Sequence, residues 1–442
     1  MKRFCLIITI LTSYTLIYSQ EIYNLKQCIE TGLENNYSIR IIRNEEQIAH
    51  NNAIIGNAGY LPTIDLSGGV NGSVYNFNYN YSDGTSDKVS NNNTETANIG
   101  VNLNWTLFDG FGIQANYARL KELEQMGELN TRISIEDLIA DIAGVYYSMI
   151  RQKIRLNNLQ SAVNLSKERL RIVEERYHIG LNSLLELNQA KAYFNADSSR
   201  LISQLETVYS TSVSLGTLMA LKPDHTISVG DSSISLNTML DKDELWQNIL
   251  ISNTSLLKSQ KNKTLSEIDY KRAISRNFPY VRLNGGYGFT SNWYSTGNTD
   301  MQERLGLNYG ITVGFTLFDG FNRRREQRNA QIQIKNSELR VQNVELALND
   351  QFSKLWMAYQ NNLQLWSLEK ENLKVAQDTY STAMERYRLG ELSGIESREA
   401  QNTLLEAEER RSISEYNTKL CEISLLQLSG QLLNTLYPEN GK

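Results

Sequence analysis

The chain has 442 residues, 21% of them charged, and a net charge of -5, which excludes the basic surface a nucleic-acid partner would need. Its three cysteines exclude a disulfide framework. Only four prolines occur, none between Pro62 and Pro223 and none between Pro279 and Pro438; breaker-free spans of that length predict very long helices.

Met1 to Ser19 reads as a secretory signal. Lys2 and Arg3 give the positive start, Phe4 to Tyr18 the apolar run, and Ile17-Tyr18-Ser19 a cleavage site that leaves Gln20 first. A single membrane anchor is the alternative, although the run is short and carries Ser and Thr. Cys5 sits far from the cut, so no lipid-anchored cysteine is expected. Cys28 and Cys421 remain after cleavage, and spacing alone does not say whether they pair. No other stretch is apolar for eighteen residues, which rules out a helical membrane bundle.

Short helices are predicted near 25–33 and 37–57, and Pro62 stops the second. A period of two follows: Ile64, Leu66, Val70 and Val74 oppose Asp65, Ser67, Asn71 and Ser73. Residues 76–95, rich in Asn, Ser, Tyr and Asp, read as an exposed loop. A second strand sets Ile99, Val101, Leu103, Trp105 and Leu107 against Asn98, Asn102, Asn104 and Thr106. Beyond Asp109-Gly110 the period becomes 3.5. Leu138, Ile142, Val145, Met149, Leu156, Leu159, Val163, Leu170, Val173 and Tyr177 form a heptad seam, interrupted by Gln152 and Ser166. A helix from Phe111 to Tyr177 would be on the order of 100 Å long at 1.5 Å per residue. Gly180 caps it, and Ser183-Leu184-Leu185-Glu186 is a capping box that restarts the chain as a helix. Residues 221–241 read as a linker.

The chain then repeats itself. Thr106-Leu107-Phe108-Asp109-Gly110-Phe111 recurs as Thr316-Leu317-Phe318-Asp319-Gly320-Phe321. Arg176-Tyr177-His178-Ile179-Gly180 recurs as Arg386-Tyr387-Arg388-Leu389-Gly390, and Leu61-Pro62 matches Phe278-Pro279. The second copy has its own alternating strands. Val281, Leu283, Tyr287 and Phe289 oppose Arg282, Asn284 and Thr290; the odd residues from Leu305 to Leu317 oppose the even ones. Its heptad seam runs from Leu348 to Tyr387, with Asn362 and Glu369 as exceptions, and Ser393-Gly394-Ile395-Glu396 is its capping box.

The predicted domains are therefore a signal at 1–19, a first repeat at 20–220 and a linker at 221–241. A second repeat covers 242–430, and a polar tail covers 431–442. Each repeat carries a β-hairpin (63–108 and 280–318) and a long helical hairpin (111–220 and 321–430). Strand length and a wet, Asn/Thr/Ser/Gly-lined face favour a membrane β-barrel over two hairpins on a soluble core. Four strands cannot close alone in lipid, so the membrane reading requires a homo-oligomer.

Duplication, strand pairs, L-F-D-G helix entries and R-Y-x-x-G turns, in this order and twice, resemble the outer membrane efflux family, the TolC-like channels. The resemblance covers essentially the whole mature chain. It implies a mixed α/β membrane protein: a homotrimer with a twelve-stranded outer-membrane barrel, four strands per subunit, and a periplasmic α-barrel of coiled-coil helices. It further implies a passive exit duct of a tripartite efflux or type I secretion system in a Gram-negative bacterium. The partners would be a periplasmic adaptor, an inner-membrane pump and outer-membrane lipid, with no cofactor and no nucleic acid.

Carried onto this sequence, the adaptor-docking tip comprises Tyr177, Gly180, Leu181, Asn182, Ser183, Tyr387, Gly390, Leu392 and Ser393. The gate carboxylates are Glu186, Glu396 and Glu399. Glu186 and Glu396 also read as helix caps, and Gln189 stands where the first repeat would match Glu399. Asp109, Gly110, Asp319 and Gly320 turn strand into helix. Arg323, Arg324, Arg325 and Arg328 read either as a contact to lipid head groups or as a solvated helix start. His50, His178 and His225 match no metal spacing and no catalytic triad is present, so no enzyme is expected. The alternative function is a coiled-coil envelope scaffold or adhesin, which leaves the symmetric strands unexplained.

Overall fold

The computed structural model describes residues 21–222 and 227–437. In chain order these form β1 (Glu21–Tyr23), α1 (Leu25–Asn35), α2 (Tyr37–Asn52), α3 (Ile55–Ala58), β2 (Thr63–Asn80), β3 (Ser86–Phe108), α4 (Gly112–His178) and α5 (Leu184–Leu218). Then come β4 (Ile227–Val229), α6 (Lys242–Ser252), α7 (Thr254–Ser275), β5 (Tyr280–Tyr294), β6 (Met301–Gly314), α8 (Asn322–Leu389), α9 (Gly394–Leu428) and α10 (Leu432–Leu436). The signal segment lies outside the described residues. The described residues divide into two compact units, one from 21–44, 130–222, 227–257 and 344–437, the other from 45–129 and 258–343.

The second unit carries an antiparallel sheet in the order β2-β3-β5-β6. Cross-strand partners share a face, so the register sorts the side chains. Ser67, Gly100, Gly288 and Gly306 form one polar row, and Asp65, Asn102, Gly286 and Asn308 the next. Asn102 Nδ2 donates to Ser67 Oγ at 2.9 Å and Asn284 Nδ2 to Asn104 Oδ1 at 3.2 Å. Gly286 makes room for these amides: a Cβ there would lie 3.0 Å from Asn102 Oδ1 and nearer still to Asn308 Oδ1, so both side chains would have to turn away. The other face carries Leu66, Val70, Val101, Tyr287, Leu307 and Tyr309, all exposed.

The sheet departs from expectation at both hairpins. Residues 76–95 are mostly strand rather than loop; only residues 81–85 turn, with Tyr81 N donating to Thr85 O at 2.9 Å and Gly84 at φ 85°. Ladder pairing satisfies the backbone whatever the side chains are, and Tyr75, Phe77, Tyr79 and Tyr81 lie ring to ring at 5.6–6.4 Å. At the other hairpin β6 ends at Gly314 instead of 318, because Phe315 to Phe318 have no strand beside them.

In the first unit the heptad residues of α4 pack with α1, α5 and α9 around Ile139, Ile142, Tyr146 and Ile150. The expected linker contributes to this core. Its β4 pairs in parallel with β1, and Ile227 and Val229 are buried, with Ser212 Oγ accepting from Ile227 N at 3.0 Å. The expected polar tail likewise forms α10, whose Leu432 is fully buried. Cys28 and Cys421 are both free thiols, and burial pushes the Cys28 thiol up to about 12.

Candidate functional site at the hairpin turns

Two turns close the long helical hairpins, and both are built the same way. Gly180 (φ 77°) and Gly390 (φ 82°) take the left-handed conformation that ends a helix. Gly180 N donates to Tyr177 O and Leu181 N to Arg176 O; Gly390 N and Glu391 N repeat this on Tyr387 O and Arg386 O. The paired bonds define a Schellman motif at each turn. Ser183 then caps α5: its N–H donates to Glu186 Oε2 at 2.7 Å, and its Oγ accepts from Glu186 N at 3.3 Å. Ser393 caps α9 in the same manner with Glu396, at 3.0 and 3.2 Å. The Ser393 hydroxyl, which donates to Glu396 Oε2 at 2.7 Å, and the Ser393 N–H hold the Glu396 carboxyl below its ordinary value. Glu399, one turn on, is exposed.

The structure brings most of the tip residues together. A cavity of about 280 Å³ is lined by Asn182 and Glu186 from the first turn and by Tyr387, Gly390, Leu392 and Ser393 from the second. Tyr177 packs instead with Leu170, Val173, Leu187 and Ala190, while Leu181 and Gly180 face outward. Tyr387 is buried, with the guanidinium groups of Arg169 and Arg176 5.9 and 5.8 Å from its ring centre. Burial raises the Tyr387 phenol and lowers the Arg169 guanidinium.

Deeper along the same helices lies a polar cluster that sequence reasoning missed. Arg398 on α9 grips Asp197 on α5 with two bonds, Nη1 to Oδ2 at 2.5 Å and Nη2 to Oδ1 at 2.7 Å. Ser166 on α4 also donates to Asp197, Arg169 Nη2 donates to Ser397 Oγ at 3.2 Å, and the Arg398 guanidinium lies 5.1 Å from the Tyr193 ring centre. Burial alone would raise the Asp197 carboxyl; the bonds from Arg398 and Ser166 outweigh it and hold the group below its ordinary value.

A signal for this cluster did exist. The four polar interruptions of the heptad seams all meet the return helix of their own hairpin. Gln152 accepts from Gln204, Ser166 meets Asp197, Asn362 donates to Cys421 Sγ and Glu369 accepts from Arg410.

The strand-to-helix turns use their aspartates as caps. Asp109 Oδ1 accepts from Ile113 N at 3.0 Å, and Asp319 Oδ2 accepts from Arg323 N at 3.0 Å. Arg323 turns back to Asp319 and to Thr316 O, so this member of the arginine cluster is engaged within the turn. His50 is paired with Glu124, and His225 lies outside the described residues. No group of three or more metal-binding side chains occurs, and no helix is long and apolar enough to cross a membrane, among the described residues.

The model of the outer membrane efflux protein family matches residues 28–221 and 245–431. The chain belongs to that family. It is 19% identical over 403 residues to the outer membrane efflux protein BepC of Brucella suis, covering 90% of this chain and 83% of BepC. Its fold is that of VceC from Vibrio cholerae, with a TM-score of 0.73, 15% identity, and 92% and 96% of the two chains covered. It also matches the Campylobacter jejuni CmeC outer membrane channel, with a TM-score of 0.74, 18% identity and coverage of 92% and 86%. The chain is therefore an outer membrane efflux protein with the fold that VceC and CmeC share.

Proposed function

We propose that three copies assemble into one duct, which receives its cargo from an inner-membrane pump through a periplasmic adaptor docked on the hairpin turns. The observation that carries this reading is the sheet. Its two outer strands each have one edge without a strand partner among the described residues, and the middle of one face is apolar and largely exposed, an arrangement that lipid tolerates only when copies close a barrel. Three copies of four strands make twelve, and the polar face then lines the passage.

At the turns, the cavity that joins both hairpins gives an adaptor a single recess to enter. Opening moves one hairpin against the other, and the Asp197–Arg398 pair, which links the two return helices, opposes that motion. Adaptor binding biases this closed-to-open equilibrium by preferring the open tip. In a trimer Glu399 becomes three exposed carboxylates around one axis and favours cations at the entrance. Glu186 and Glu396 serve mainly as caps.

The test is photo-crosslinking in the native cell from a photoreactive residue at Leu392, read by mass spectrometry. Capture of a periplasmic adaptor supports the docking surface. Crosslinks only to other copies of this chain, under every growth condition, would remove it.

A further inference from the structure

The two repeats enter their long helices through the same residues, T-L-F-D-G-F, and then diverge. After Phe111 the chain reads Gly112-Ile113-Gln114-Ala115-Asn116-Tyr117-Ala118; after Phe321 it reads Asn322-Arg323-Arg324-Arg325-Glu326-Gln327-Arg328. Four arginines thus stand where the first repeat has Ile113, Gln114, Ala115 and Ala118. The first helix start is used for packing. Ile113 is buried, Asn116 Nδ2 donates to the Ala58 carbonyl and the Tyr117 ring meets Tyr60 edge-on. In the second, only Arg323 is tied down, with Nη2 donating to the Thr316 carbonyl at 2.7 Å.

Helix stability does not explain the other arginines. Cations in a first turn oppose the helix dipole, which favours carboxylates there. The nearby carboxylates are already committed, Asp319 to Arg323 at 3.1 Å and Glu326 to Arg276. Arg324, Arg325 and Arg328 are exposed and make no ion pair among the described residues.

What lies beside them identifies the missing counter-charge. Immediately before them, Leu317, Phe318 and Phe321 are 87%, 71% and 62% exposed. This run continues the apolar face of β6, where Ile311 and Val313 are exposed as well. Arg324 lies on that side, its guanidinium 5.7 Å from the Phe321 ring centre. Arg328 follows four residues later, on the same face of the helix. The order along this side is aliphatic, aromatic, cationic, which matches the hydrocarbon, interface and headgroup layers of a bilayer.

We propose that Arg324 and Arg328, with Arg325 at their edge, bind the headgroup of an anionic phospholipid in the periplasmic leaflet. This rests on the barrel reading above and adds a lipid class and a leaflet to it. The guanidinium fork fits phosphate oxygens, while Phe318 and Phe321 meet the adjoining ends of the acyl chains. A zwitterionic lipid offers the same phosphate but brings its own ammonium, so the cluster prefers a lipid with net negative charge. Gln114, Ala115 and Ala118 carry no charge, so each subunit holds such a lipid on its second repeat alone.

The test places the mature protein, extracted from outer membranes, in bilayers of phosphatidylethanolamine with a minor fraction of phosphatidylglycerol. The phosphatidylglycerol headgroup carries a photoreactive diazirine, and labelled residues are mapped by mass spectrometry. Residues 318–328 are expected to take about tenfold more label than their counterparts 108–118, and the excess should fall as salt is raised. Arg324→Gln/Arg328→Gln should lose the excess, and Arg340→Gln, farther along α8, should keep it. The comparison between repeats needs no substitution and decides the matter if the double variant does not assemble. Equal labelling of the two repeats, or an excess that the double variant retains, overturns the headgroup site while leaving the barrel standing. An equal excess from phosphatidylethanolamine bearing the same probe also overturns it, leaving an aromatic belt without charge preference. A lipid with the diazirine in its acyl chain that labels none of β2, β3, β5 and β6 would instead overturn the barrel reading itself.

Discussion

In the sheet, apolar side chains point outward and polar ones bond to each other across strands; in the helical unit the arrangement is reversed. Val101, Tyr287 and Leu307 are exposed, whereas Ile139, Ile142 and Tyr146 are wholly buried. Both regions have strong hydrophobic periodicity, so the pattern itself does not say which side is outside. What differs is the medium against which each outer face is stable. In the proposed barrel the sheet faces lipid and can leave its apolar side uncovered. The helices have an aqueous exterior and must cover theirs, which makes each polar group on the seam a local problem. The seam solves it by pairing, as at Ser166, Asp197 and Arg398.

The sharpest way to break that contrast is to unpair the helical cluster. Arg398→Met strips the buried Asp197 carboxylate of its two-bond partner, leaving it the Ser166 hydroxyl and the half-exposed Arg200 at 3.8 Å, and should lower the unfolding free energy by about 3 kcal/mol, the low end for a broken buried pair. Adding Asp197→Leu removes the stranded charge and should recover most of the loss. Urea titration in detergent reads both variants. If the double variant is no better than the single one, the charges are not acting as a pair.

Adjacent residues test the sheet. Val101→Arg puts a charge on the apolar face and should cost about 2–4 kcal/mol near the bilayer midplane, seen as loss of assembled protein from outer membranes. Asn102→Arg, one residue on, faces the polar side and should assemble normally while shifting conductance toward anions. Equal losses from the two would mean that the sheet does not separate lipid from water.

The helical cluster also has a pH signature. The Asp197 carboxyl is held below its unfolded value by Arg398 and Ser166. Its contribution to stability is therefore complete above the unfolded pKa of about 3.9 and disappears as pH falls through the lower, folded value. Wild-type protein should lose stability over that acid range, and the Asp197→Leu/Arg398→Met variant should lose less. An identical acid profile in both would place the sensitive groups elsewhere.

Much of this was legible in the sequence, for identifiable reasons. Long helices, their glycine turns and both capping boxes follow from local spacing, which the helix obeys without reference to distant residues. The family resemblance rests on the same motifs. At 76–95 composition and period disagree: the Asn/Ser/Asp content reads as loop, while Tyr75, Phe77, Tyr79 and Tyr81 alternate as a strand does, and the period prevails. β4 is only three residues long and is made by pairing with β1, some 200 residues away, so no local signal marks it. The Asp197–Arg398 pair was missed for a similar reason. The heptads flagged Ser166 as an exception, but only the folded hairpins show which carboxylate lies opposite.

The smallest effect concerns the turns, where one residue type has two readings. Glu396 closes a capping box, and its carboxylate already accepts from the Ser393 N–H. Ser393→Ala should therefore cost about 1 kcal/mol, the ordinary value of a lost N-cap, with little change in ion selectivity. Glu399 has no part in that cap and is exposed, so Glu399→Ala should reduce cation selectivity in single-channel recordings while leaving stability near wild type. Glu396→Ala should do the converse. If Glu396→Ala shifts selectivity as strongly as Glu399→Ala, the capping carboxylate also faces the passage, and the entrance carries two acidic rings rather than one.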